Sequence, residues 1–145
     1  MTIEVELVTP ERLVFKDQVD SIVAPAFDGE VGILPHHAPL LTRLGVGELR
    51  LKKGSEIHYV ALTGGFMEVQ KGSRVSIFAE TAEFASEIDI ERAKQAAEKV
   101  KTKLVQARDL TAMELAQLEA ALSRALLRMN IVQNRWRKAP PSKPN

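Results

Sequence analysis

At 145 residues, 45% hydrophobic and without a cysteine, the chain is long enough for one large or two small cores, and disulfides and thiolate chemistry are excluded. No run approaches the roughly 20 apolar residues that cross a bilayer as a helix, and the opening Met1 to Leu7 alternates like a strand, unlike a charged-then-apolar signal peptide. The net charge of +1 hides an asymmetry: residues 1–85 carry eight basic against twelve acidic side chains, and residues 86–145 twelve against seven, so an acidic partner is expected for the second half.

All eight glycines lie at or before Gly72, and neither glycine nor proline recurs until Pro140. Short β-branched and apolar runs cut by turn formers therefore give way to a stretch rich in good helix formers. Ile3, Val5 and Leu7 alternate with Glu4 and Glu6 as a half-buried strand ended by Thr9-Pro10-Glu11. Leu13–Phe15, Val19–Ala24, Leu49–Leu51, Ile57–Leu62, Phe66–Val69 and Val75–Ala79 read as further strands. Asp28-Gly29, Lys52-Lys53-Gly54-Ser55, Gly64-Gly65 and Lys71-Gly72 read as the turns between them. This spacing predicts an antiparallel sandwich or barrel.

Gly29 to Leu41 holds Pro35, Pro39, His36 and His37 and reads as a stiff loop, because each proline fixes its own φ and restricts its predecessor. Adjacent His36 and His37 with a distant His58 lack a metal-ligand spacing, so no metal is expected and loop structure or a contact surface is. No nucleophile elbow, phosphate-binding glycine loop or nucleophile beside a base is present, which predicts a binding surface without catalytic residues.

Ser86-x-x-Asp89 resembles a capping box, and Asp89 alone could also cap. Ile90, Ala93, Ala97, Val100, Leu104 and Ala107 then form an apolar seam at helical spacing. After a second start signal at Thr111-x-x-Glu114, the seam Leu115, Leu118, Leu122, Ala125, Met129, Val132 and Trp136 follows. Two such seams joined by a short turn predict an antiparallel helical hairpin over 86–137. The polar, proline-rich tail 138–145 is expected to be disordered. Asp89 and Arg92 share a helix face, with Glu83 before them. Arg92 offers planar charged donors suited to phosphate, and a carboxylate can accept from an adenine amino group or a ribose hydroxyl; a local Asp-Arg pair is the plainer reading.

Gly29-Glu30-Val31-Gly32-Ile33-Leu34-Pro35, His37-Ala38-Pro39-Leu40, Leu62 to Val69 and Ile88-Asp89-Ile90-Glu91-Arg92-Ala93 together resemble the epsilon-subunit family of bacterial and chloroplast rotary ATP synthases. The resemblance spans nearly the whole chain up to the tail. It implies an α+β fold, with an N-terminal antiparallel β-sandwich (1–85) followed by the helical hairpin, and a non-catalytic rotor subunit of the central stalk. Its implied partners are the gamma subunit, the c-ring and the alpha/beta catalytic head. The c-ring contact falls on Glu30, Val31, Gly32 and His37. The hairpin folds down or extends about a hinge at Glu83–Glu87, and Arg124, Arg128 and Arg135 face the catalytic head in the extended, inhibiting state.

The same resemblance implies a regulatory ATP site at Glu83, Ile88, Asp89, Arg92 and Ala93, with Lys99, Arg124 and Arg128 beyond. Strong binders of that family carry further arginines where this chain has Lys99 and Gln117. No cofactor is required, and membrane association comes through the complex, peripheral to the cytoplasmic face of a bacterial membrane, a thylakoid being the second reading. Two other classes compete. A carbohydrate-binding sandwich would display exposed aromatics, against the one Trp and one Tyr here. A nucleic-acid binder would use the basic helix and lose affinity steeply with salt; no base-reading motif supports it.

Overall fold

The computed structural model describes residues 1–106 and 110–138, the stretch 133–138 by its backbone alone. Strands form at Ile3–Val8 (β1), Leu13–Val19 (β2), Ser21–Ala26 (β3), Gly29–Ile33 (β4), Leu40–Lys53 (β5), Glu56–Gln70 (β6) and Arg74–Phe84 (β7). A short 3-10 turn at Ala85–Glu87 precedes helices Ile90–Gln106 (α1) and Ala112–Lys138 (α2). The chain divides into two compact units, Met1–Phe84 and Ala85 onward.

In the first unit the strands lie in the order β2-β1-β7-β6-β5-β3-β4. β1 and β7 run parallel, with Val5 opposite Val75 and Leu7 opposite Ile77. The remaining neighbours are antiparallel. A parallel pair needs a long crossover, and here the whole of β2 to β6 supplies it. The sheet wraps one core containing Ile3, Leu7, Ile22, Leu49, Leu62 and Ile77. The Asp20 amide donates to the Lys52 carbonyl at 2.7 Å, and Phe15 of β2 stacks on His58 of β6 with ring centroids 5.7 Å apart, closing the wrap.

Two expectations from the sequence fail here. Gly64-Gly65 is no turn: Ile57–Leu62 and Phe66–Val69 belong to the single strand β6. Burial along β6 falls on Val60 and Leu62 before the glycines and on Met67 and Val69 after them, so the inward face changes parity. Gly64 and Gly65 absorb that change with φ of +69° and +118°, which only glycine adopts freely. β5 changes at the same level, from Leu44 to Leu49 and Leu51, and β7 from Val75, Ile77 and Ala79 to Ala82 and Phe84. Pairing stays in one register throughout, with Leu44 and Ala79 flanking Gly65. The sheet thus bends as a block. The other correction is that Gly29–Ile33 is a strand, paired to β3 from Ile22 opposite Ile33 to Ala26 opposite Gly29. The stiff loop is confined to residues 34–39.

In the second unit the Asp89 carboxylate caps α1, with its Oδ1 accepting from the amides of Glu91 at 3.1 Å and Arg92 at 3.2 Å. Thr111 caps α2 by accepting the Glu114 amide at 3.1 Å. Each cap satisfies amides that the first helical turn leaves without a partner. α1 packs against α2. Among the unit's described residues, Ala85, Ala93, Ala97 and Ala125 are buried, together with Ile131, which lies off the expected seam. Leu118, Leu122, Met129 and Val132 are half-buried, whereas Leu115 is 40% exposed. Ala107, the Trp136 side chain and the tail 139–145 lie outside the described residues.

Large apolar side chains buried at about 1.5–3 kcal/mol each are concentrated in the first unit, while the buried positions of the second are mostly alanines. A fragment of residues 1–84 is therefore expected to unfold cooperatively, and an isolated 85–138 fragment to be only partly helical. Circular dichroism of both fragments checks this, and a disordered 1–84 fragment would refute independent folding of the first unit.

Candidate functional site

β4 carries the first group of candidate contact residues. Glu30 is opposite Pro25 and Gly32 opposite Val23 at the edge of the sheet. The Glu30 carboxylate accepts from Arg50 Nη2 at 2.8 Å while its side chain remains 62% exposed. Arg50 also lies 3.8 Å from Glu48. Val31 turns inward and packs on the core, so Glu30 and Gly32 face outward and Val31 supports them.

Beyond β4, Leu34-Pro35-His36-His37 forms a type II turn. The His37 amide donates to the Leu34 carbonyl at 3.2 Å, and His36 has φ of +65°, the combination that Pro at the second position and a left-handed third residue produce. The His37 ring donates from Nδ1 to the Ala38 carbonyl at 2.7 Å. His36 and His37 thus serve loop geometry, and among the described residues no three His, Asp or Glu gather as a metal site. The Lys53 ammonium donates to Asp17 at 2.6 Å, on a different part of the unit. That bond holds the Asp17 carboxyl below its ordinary range, and in return raises Lys53.

A second surface was not singled out by the sequence reading. Arg43, Phe66 and Phe78 are cross-strand neighbours in one row over β5, β6 and β7, with Phe66 and Phe78 about half exposed. With Pro10, Gly65 and Glu80 they line an open groove of about 480 Å³. The Arg43 guanidinium lies 5.5 Å from the centre of the Phe27 ring, itself 73% exposed. Exposed aromatic rows of this kind mark interaction surfaces. A signal existed: Phe66 shares its parity with Glu68, which marks the outward face, but the parity change at Gly64-Gly65 hid it.

The candidate nucleotide residues divide between the units. Glu83 lies on β7 opposite Ala61, within a strand and not in a connecting segment. Ile88, Asp89 and Arg92 lie at the start of α1. Arg92 and Lys99 are exposed and seven positions apart, hence on one helix face. Among the described residues no ion pair joins Asp89 to Arg92; Asp89 caps the helix instead. Ala93 is buried. On α2, Arg124 is exposed and Arg128 half-buried one turn away; the Arg135 side chain lies outside the described residues. No described helix is long and apolar enough to cross a membrane.

Two domain families match in tandem. The ATP synthase Delta/Epsilon chain beta-sandwich domain covers residues 2–85, and the long alpha-helix domain of the same chain covers residues 86–133. The chain is 52% identical to an ATP synthase epsilon chain of Desulforamulus reducens over 71% of this chain and 77% of the relative. It is 43% identical to that of Dehalococcoides mccartyi over 95% and 96%. Among solved structures, a chain of the Euglena gracilis mitochondrial ATP synthase, in its OSCP/F1/c-ring assembly, superposes with a TM-score of 0.73 at 27% identity, covering 84% of this chain and 76% of that one. With both domains matched in order and a relative 43% identical over 95% of this chain, the chain belongs to the ATP synthase epsilon-chain family.

Proposed function

We propose that this chain is a non-catalytic central-stalk subunit of a rotary ATP synthase, linking the gamma subunit to the c-ring through its first unit and restraining ATP hydrolysis through its second. The observation that carries this reading is the tandem domain match together with two separate outward surfaces on the first unit, as a linker between two partners requires. Glu30, Gly32 and His37 form the surface for the polar loops of the c-ring, with Val31 packed beneath. The groove at Phe66 and Phe78 suits the gamma subunit, because half-exposed aromatics gain most from burial in a protein interface. Membrane association comes through the assembled complex at the cytoplasmic face. Pull-down of the full chain with an ATP synthase lacking its epsilon subunit tests the reading; no association at low or moderate salt would refute it.

The same proposal includes a regulatory ATP site that stabilises the folded-down helices and uses Asp89, Arg92 and Lys99. Arg92 supplies the fork-shaped charged donor for phosphate. A ligand that binds one conformer better shifts the population toward it. Arg92→Ala is expected to lower ATP affinity at least about tenfold, since hydrogen bonds to charged groups contribute about 1.5–3 kcal/mol, with the far-ultraviolet spectrum unchanged. Calorimetry checks this. Wild-type chain that takes up no nucleotide at millimolar concentration would remove ATP regulation from the proposal.

A further inference from the structure

The turn that presents His37 is held from a distant part of the chain. In a type II turn the third residue must have positive φ, a position that glycine fills without strain. Here His36 fills it at +65°, and the carbonyl-to-amide bond from Leu34 to His37 leaves the His36 amide without a partner inside the turn. That amide donates to the Ser73 hydroxyl at 2.8 Å, across 37 residues. The His36 ring donates from Nε2 to the Met1 sulfur at 3.3 Å.

Ser73 is itself anchored. It stands in the turn between β6 and β7 with φ of +57°, and its carbonyl accepts the Glu4 amide at 2.9 Å, joining it to β1. One serine thus connects the parallel β1 and β7 pair to the turn after β4. Without that bond the histidine would relax toward negative φ, which would undo the turn and redirect His37.

We infer that Ser73 is a positioning residue for the c-ring contact surface: its hydroxyl holds His36 in the left-handed conformation and so sets the direction in which His37 is presented. The inference rests on the proposal that Glu30, Gly32 and His37 meet the c-ring. It makes the contact surface preformed, so little ordering remains to oppose binding.

The test titrates the full chain onto a detergent-solubilised c-ring carrying the gamma subunit. Ser73→Gly is the variant of choice, because glycine keeps the +57° backbone without strain while the hydroxyl is lost with its methylene. Affinity should fall about fivefold, the typical loss for one hydrogen bond. Amide exchange should accelerate at His36 and His37 and stay unchanged at Val60 and Leu62. Adding His36→Gly should restore affinity to within about twofold of wild type, since glycine adopts the turn unaided. A merely structural serine would give no such rescue. If Ser73→Gly binds like wild type while His37→Ala binds weakly, the positioning role is refuted and the contact reading stands. If the loss is seen without rescue, the positioning role is likewise refuted. If Glu30→Ala and His37→Ala both bind like wild type, the contact reading fails and takes the inference with it.

Discussion

Replacing Arg124 and Arg128 with alanine is expected to raise ATP hydrolysis by a catalytic head containing this subunit toward the level seen without it, with the first unit still bound to the stalk. The two arginines stand one turn apart on α2, Arg124 exposed and Arg128 half-buried, so one helix face can offer both to an acidic partner. Exposed ion pairs contribute up to about 1 kcal/mol each. About 2 kcal/mol in total shifts a two-position equilibrium by up to about thirtyfold, enough to depopulate a proposed inhibiting state that is favoured by less than that. Steady-state hydrolysis by the reconstituted complex checks this at low ionic strength, where screening is weakest. Unchanged inhibition in the double variant would eliminate these arginines as the main contact.

Gly65→Ala is expected to destabilise the first unit by at least about 4 kcal/mol, in the range reserved for severe core or backbone conflicts. A Cβ on Gly65 would lie 1.9 Å from the Phe78 carbonyl oxygen and 2.8 Å from the Ala79 Cα, and the backbone has φ of +118°. Both obstacles are backbone atoms of a paired central strand, so no side-chain rotation relieves them. Stabilities of small domains are about 5–15 kcal/mol, so a loss of this size removes a large share of the total. Gly32→Ala is the matched control. A Cβ there meets nothing within 4 Å, and its effect should stay within about 0.5 kcal/mol. Urea titration of the two variants decides the matter; a Gly65→Ala protein as stable as wild type would show that β6 can bend without this glycine.

Local chemistry was legible in the sequence wherever a property depends on residues close along the chain. The alternation of Ile3, Val5 and Leu7 marks a strand whose inward face is fully buried, and Asp89 and Thr111 begin the two helices as caps. The run without glycine or proline after Gly72 foretold helical material for the same reason, although β7 still precedes the helices. What the tertiary structure decided is the meaning of Gly64-Gly65. A glycine pair between two apolar runs has the same local appearance whether the chain reverses or continues, and only pairing with β5 and β7 on both sides makes it a bend in one long strand. That bend places Phe66 on the outside beside Phe78, where periodicity carried across the glycines would have misplaced it. The candidate contact site divides in the same way. Glu30 and His37 were visible as residues, but the bond from His36 to Ser73 joins positions whose proximity no local pattern encodes, because it follows from the antiparallel register of β5 with β6, where Leu40 lies opposite Val69 and the flanking turns are brought together.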